Sequence, residues 1–104
     1  MKAIDFCQLT ERKDLRAKDL PIADKKRMEV ARALATEPSL LLLDETAAGL
    51  NLKEIETMME VVKKIRDSGI TCIIVEHVMK FIMGISDRVM CINFGMEIAT
   101  GKPE

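Results

Sequence analysis

The sequence predicts an α/β fold, a layered arrangement in which a mostly parallel sheet ends in an antiparallel hairpin. Three observations carry that expectation. Leu40-Leu41-Leu42-Leu43 runs straight into Asp44-Glu45. Such a run has no polar face, which is the pattern of a strand buried on both sides. Ile70 to Val75 is a second run of this kind, rich in β-branched residues. Between them Leu52, Ile55, Met58, Met59, Val62 and Ile65 recur at spacings of three and four, the period of an amphipathic helix. Strand, helix and strand in that order form a crossover unit.

In chain order, Ala3, Ile4 and Cys7 are expected on one side of a short helix. Thr10 to Asp19 is mostly charged and is expected to be solvated and poorly packed. Pro21 breaks that segment, because it lacks a backbone donor and biases Leu20 away from helix. From Asp24 the pattern turns helical, with Met28, Ala31 and Ala35 as a stripe widened by Val30 and Leu34, and with Asp24 as a candidate N-cap. Pro38 ends the segment ahead of the leucine strand. Asn51 and Glu54 form a capping-box pattern at the start of the next helix, and Ser68-Gly69 stops it. After the second strand come Glu76-His77. Val78, Phe81, Ile82 and Ile85 mark a short helix. Arg88 to Asn93 reads as a third strand, Asn93 to Met96 as a turn, and Glu97 to Thr100 as a fourth, antiparallel strand.

The 104 residues suffice for one small domain. Apolar residues make up 48% and charged residues 32%, the balance of a globular chain. A formal net charge of -1, with neither Trp nor Tyr, gives no footing for nucleic acid. Cys7, Cys72 and Cys91 match no metal spacing and no disulfide framework. Cys72 and Cys91 lie in apolar strand-like runs and are expected as buried reduced thiols, which points to a reducing compartment. No signal peptide or membrane span is read in the sequence.

The placement of Glu45 and His77 matters for function. Each follows an apolar strand, and one crossover separates them. If the strands are parallel, both emerge at the same edge of the sheet and face a common ligand.

These residues resemble a known family. Leu40 to Glu45 is similar to the Walker B motif of ATP-binding cassette ATPases, four apolar residues followed by Asp-Glu. Ala48-Gly49-Leu50-Asn51 resembles the D-loop that follows it, and Val75-Glu76-His77 the switch-histidine segment. Leu20 to Glu29 stands where the family places its signature segment and the helix behind it, and Val30 to Pro38 is typical of the same family. Met79 to Arg88 looks like the ATPase subunits of branched-chain amino acid importers. The resemblance covers the chain from about Ala3. It implies a partial P-loop NTPase-like fold, with residues 1–37 as the helical and signature region and 38–104 running from Walker B to the hairpin.

The resemblance also implies roles. Asp44 would hold Mg²⁺, usually through water. Glu45 would polarise the attacking water as general base. His77 would contact the γ-phosphate of ATP. Ala23 and Asp24 would lie in the signature facing that phosphate, and Asn51 in the D-loop at a dimer interface. The implied partners are a second ATP-binding cassette and a membrane permease, with the protein cytoplasmic and peripheral at the membrane's cytoplasmic face.

Some family features are missing from these residues. No G-x-x-x-x-G-K-[ST] loop occurs, and that loop supplies the amides and lysine that cradle the β- and γ-phosphates. The signature lacks its usual glycines and glutamine. Ala23 hinders close backbone approach, and Asp24 adds a negative charge where a phosphate would sit. Thr46 and Val78 stand where proline and aspartate are usual. The expectation is therefore an ATPase component of a branched-chain amino acid transporter, truncated and inactive alone. The alternative is a non-catalytic half-cassette that binds a full cassette or permease and modulates it. Loss of the phosphate-loop strand should leave the second strand with an open edge. That edge would be closed by rearrangement of the sheet or by pairing with another copy.

Overall fold

A computed structural model describes Ala3 and residues 7–103. The short helix expected over Ala3, Ile4 and Cys7 lies largely outside the described residues. Two 3-10 turns, Thr10–Arg12 and Ala17–Asp19, occupy the charged segment, and neither contains a buried residue. Seven further elements follow: α1 (Ile22–Leu34), β1 (Leu40–Asp44), α2 (Leu52–Asp67), β2 (Thr71–Val75), α3 (Met79–Ile85), β3 (Val89–Asn93) and β4 (Met96–Gly101).

The architecture is α/β, with one parallel pair and one antiparallel hairpin. β1 pairs with β2 in parallel, Leu40 opposite Thr71 and Asp44 opposite Val75. β3 pairs with β4 in the opposite sense, with a register shift between Cys91 and Ile92. Phe94 and Gly95 both take positive φ in the turn between them, as a tight hairpin requires. The two pairs form separate two-stranded sheets. The expected rearrangement that would join them is not seen.

α2 begins as its sequence predicts. The Asn51 side chain accepts from the Glu54 amide at 2.9 Å, and the Glu54 carboxylate accepts from the Asn51 amide at 3.0 Å. Gly69, just beyond the helix, sits at φ 99°, where a side chain would be strained. α1 begins differently. Its N-cap is Pro21, so the helix starts two residues before the expected Asp24. Proline's fixed φ and missing N–H suit a helix entrance, and this leaves Asp24 inside the first turn.

The core forms on one face of β1 and β2. Leu41 and Leu43 pack with Val30 and Ala31 of α1, Met58, Val61, Val62 and Ile65 of α2, and Phe81 and Ile85 of α3. Arg66 ties the helix ends together by donating to the Ile85 carbonyl at 2.9 Å. The other strand face is bare. Leu40 is 49% exposed, Leu42 67%, Ile73 53% and Val75 62%. Burial of both faces, as the leucine run predicts, is therefore not realised: among the described residues nothing covers the second face. The hairpin is barer still, and Met90, Ile92, Phe94, Met96 and Ile98 all face solvent.

The cysteines also depart from expectation. Cys91 is exposed on the uncovered hairpin, Cys72 is half-buried and Cys7 is fully buried. Burial pushes the Cys7 thiol up to about 11, only partly offset by Arg27 and Lys64. Burial also raises Cys72, against a smaller opposing effect of Arg66. The raised folded value means that the neutral Cys7 thiol adds no penalty below pH 9. Stability is then lost as pH rises from 9 towards 11, where the unfolded thiol ionises and the buried one resists. In thiol labelling at pH 8, Cys91 should react first and Cys7 only on unfolding. Equal rates at the three sites would contradict the described packing.

Candidate functional site

The site is built by the parallel register. With Asp44 opposite Val75, the next residues of both strands leave the sheet at the same edge. The Glu45 amide donates to the Val75 carbonyl at 2.8 Å and extends the ladder by one bond. Glu45 then turns at φ 52°, a left-handed conformation that a non-glycine residue adopts at a cost. Its carbonyl is held by Lys26 Nζ at 3.2 Å and by the Ala48 amide at 3.2 Å. The turn brings Glu45 Oε1 to 3.2 Å from His77 Nδ1.

A carboxylate at that distance accepts from Nδ1–H, which leaves Nε2 free for another group. Both side chains are more than half exposed, so the pair adds little stability. Its value is positional. Asp44 ends β1 with an exposed side chain and forms no hydrogen bond or ion pair among the described residues. A magnesium ion that keeps most of its water needs only one or two carboxylates besides phosphate oxygens, and Asp44 fits that limited role. No cluster of three or more metal-binding side chains occurs among the described residues.

The remaining sequence-predicted residues are used differently. Asn51 is engaged in the α2 capping box. Ala23 is buried, at the same α1 turn as Asp24. Asp24 is nearly buried too, its side chain 8% exposed, and its carboxylate pairs with Arg27 one turn along and with Arg12 at 3.2 Å. Arg27 in turn donates to the carbonyls of Cys7 and Gln8. Asp24 is thus neither an N-cap nor a bare charge but the centre of an arginine clasp. A hollow lined by Ala23, Arg27, Leu50, Glu54, Thr57 and Met58 includes none of Asp44, Glu45 and His77.

Sequence reasoning missed Lys26 and Glu76 at the site. Glu76 had a readable signal: it continues the alternation Cys72, Ile74, Glu76 onto the helix-covered face. The Thr46 hydroxyl, next after Glu45 in the chain, is buried without a partner among the described residues.

No protein-family model matches the chain. The high-affinity branched-chain amino acid transport ATP-binding protein LivG of Escherichia coli is 42% identical over 97 residues, 92% of this chain and 38% of that protein. BraF of Pseudomonas aeruginosa, described by the same words, is 41% identical over 102 residues, 97% of this chain and 40% of that protein. Among solved structures, the ATP-binding cassette MJ1267 in its ADP conformation superposes with a TM-score of 0.89 at 29% identity, over 97% of this chain and 40% of its own. A dimeric cassette, MJ0796 bound to ADP and Pi, gives 0.84 at 25% identity, over 99% and 45%. The chain spans about two fifths of the length of the relatives it matches. No helix among the described residues is long and apolar enough to cross a membrane.

Two stability tests follow from this geometry. Asp24→Ala leaves two arginines without their shared carboxylate and should cost about 1.5–3 kcal/mol in urea unfolding, the range for bonds to charged groups. Thr46→Val removes an unsatisfied buried hydroxyl at nearly constant shape and should stabilise by about 1 kcal/mol.

Proposed function

We infer the function of this chain from its membership of the ATP-binding cassette family, as cassette sequence of the branched-chain amino acid importer type. The proposal is that it serves as part of the ATP-driven component of such an importer, at the cytoplasmic face of the membrane. The observation that carries it is the Glu45–His77 pair, 3.2 Å apart at the end of two parallel strands, with Asp44 free beside it.

Magnesium-bound ATP would supply the polarised terminal phosphate and the leaving group. On this reading Asp44 would hold the metal, through its bound water. Glu45 would accept a proton from a water molecule in line with that phosphate, and His77, with both ring nitrogens protonated, would donate Nε2–H to a phosphate oxygen while Nδ1–H donates to Glu45. Phosphoryl transfer needs mainly such positioning and charge neutralisation. The β- and γ-phosphates, however, find no cradle in these 104 residues. The amides and lysine of a phosphate loop are missing from the sequence, and the signature turn carries Asp24 bound to two arginines.

The proposed partners are a second cassette, across the Asn51 loop, and a membrane permease subunit. The arginine clasp favours a second reading, in which the chain docks on a complete cassette or permease and modulates it without reading phosphate. The open outer edge of β2, flanked by the exposed Ile73 and Val75, is further proposed to recruit another copy through strand pairing.

In a coupled assay the pure chain should show no ATP turnover above background. Turnover that disappears in Glu45→Gln would overturn this. In light scattering the chain should be larger than a monomer. A strict monomer would remove the strand-pairing proposal while leaving the site intact. A complex with a full cassette that forms only with nucleotide would support the modulator reading over the catalytic one.

A further inference from the structure

The Glu76 side chain has no solvent exposure at all, although it directly follows the last residue of β2 and precedes a largely exposed histidine. A carboxylate so placed must be satisfied from within. Two backbone amides from different segments do this. Glu76 Oε2 accepts from the Ala47 amide at 3.1 Å, in the loop that leaves β1. Glu76 Oε1 accepts from the His77 amide at 3.1 Å and lies 3.8 Å from His77 Nδ1.

We propose that Glu76 is the positioning residue of the Glu45–His77 site. It is the internal anchor that fixes the two chain exits relative to each other. It touches neither a ligand nor the reacting atoms, and it acts through the residues on either side of the gap. One oxygen holds the β1 exit two residues beyond Glu45, and the other holds the backbone of His77 itself. Register alone brings the strands level, but Glu45 departs in a left-handed turn and both functional side chains are exposed. Without an internal tie, the exposed pair would sample several rotamers, since an exposed ion pair does not hold two side chains in one geometry. A second carboxylate beside Nδ1 also disfavours an imidazole rotated away from Glu45. This inference rests on the site proposed above, but its test uses no nucleotide, so the two can fail separately.

His77 is the only histidine in the sequence, so its ring signals are unambiguous in NMR. In Glu76→Ala the Ala47 and His77 amides should exchange with solvent at least about tenfold faster, as expected for loss of a bond to a charged acceptor. The β1–β2 ladder amides should keep their rates. The His77 side-chain couplings should report a single χ1 rotamer in the wild type and become averaged in the variant. Glu76→Gln keeps the shape but only one carbonyl oxygen, so it should protect one of the two amides and not both. If the alanine variant does not fold, the glutamine variant decides. Uniform acceleration across the ladder, or His77 couplings unchanged in a folded variant with the bonds removed, would overturn the proposal.

Discussion

The register of two short parallel strands is the constraint on which the other features depend. Leu40 lies opposite Thr71 and Asp44 opposite Val75, and this single choice decides which side chains share a face and which residues leave at the same edge. A slip of one residue would turn Leu41 and Leu43 outward and expose the residues that hold α1 and α2. It would also separate Glu45 from His77. The packing of the helices and the chemistry at the strand ends therefore have a common origin, and the helix-covered face fixes both.

Much of this was legible from the chain. Asn51 and Glu54 announced α2, the Asn93-to-Met96 turn announced the hairpin, and the apolar runs announced the parallel pair. These signals are local or periodic, and the structure keeps them because nothing at longer range competes. The structure departs from the sequence pattern where a residue's environment is set by partners distant in sequence. Asp24 reads as a cap because a carboxylate suits a helix entrance. Its actual partners, Arg12 and Arg27, cannot be read as neighbours from spacing alone. Burial of both strand faces and of Cys91 was inferred from composition, which records what a segment is suited to pack against and not whether that cover is present. The α2 cap is legible as local structure, while the interface role proposed for Asn51 would depend on a second molecule.

The electrostatics divide the molecule into two unlike regions. Around Asp24 the charges are sheltered and mutually paired, with a carboxylate between two guanidinium groups and backbone carbonyls completing the second one. At the strand ends the opposite holds: Asp44, Glu45 and His77 are exposed, and their order comes from the backbone and from the concealed Glu76. The first arrangement is suited to holding a fold together. The second is suited to receiving a charged ligand, because its groups keep unsatisfied capacity towards solvent.

The bare side of the leucine strand has a consequence for the life of the molecule. An aliphatic surface with Leu42 opposite Ile73 attracts chaperones and proteases as readily as it attracts a rightful companion. The amount of this polypeptide that a cell retains should therefore follow the supply of whatever shields that surface, so that orphaned copies are cleared and sheltered ones persist.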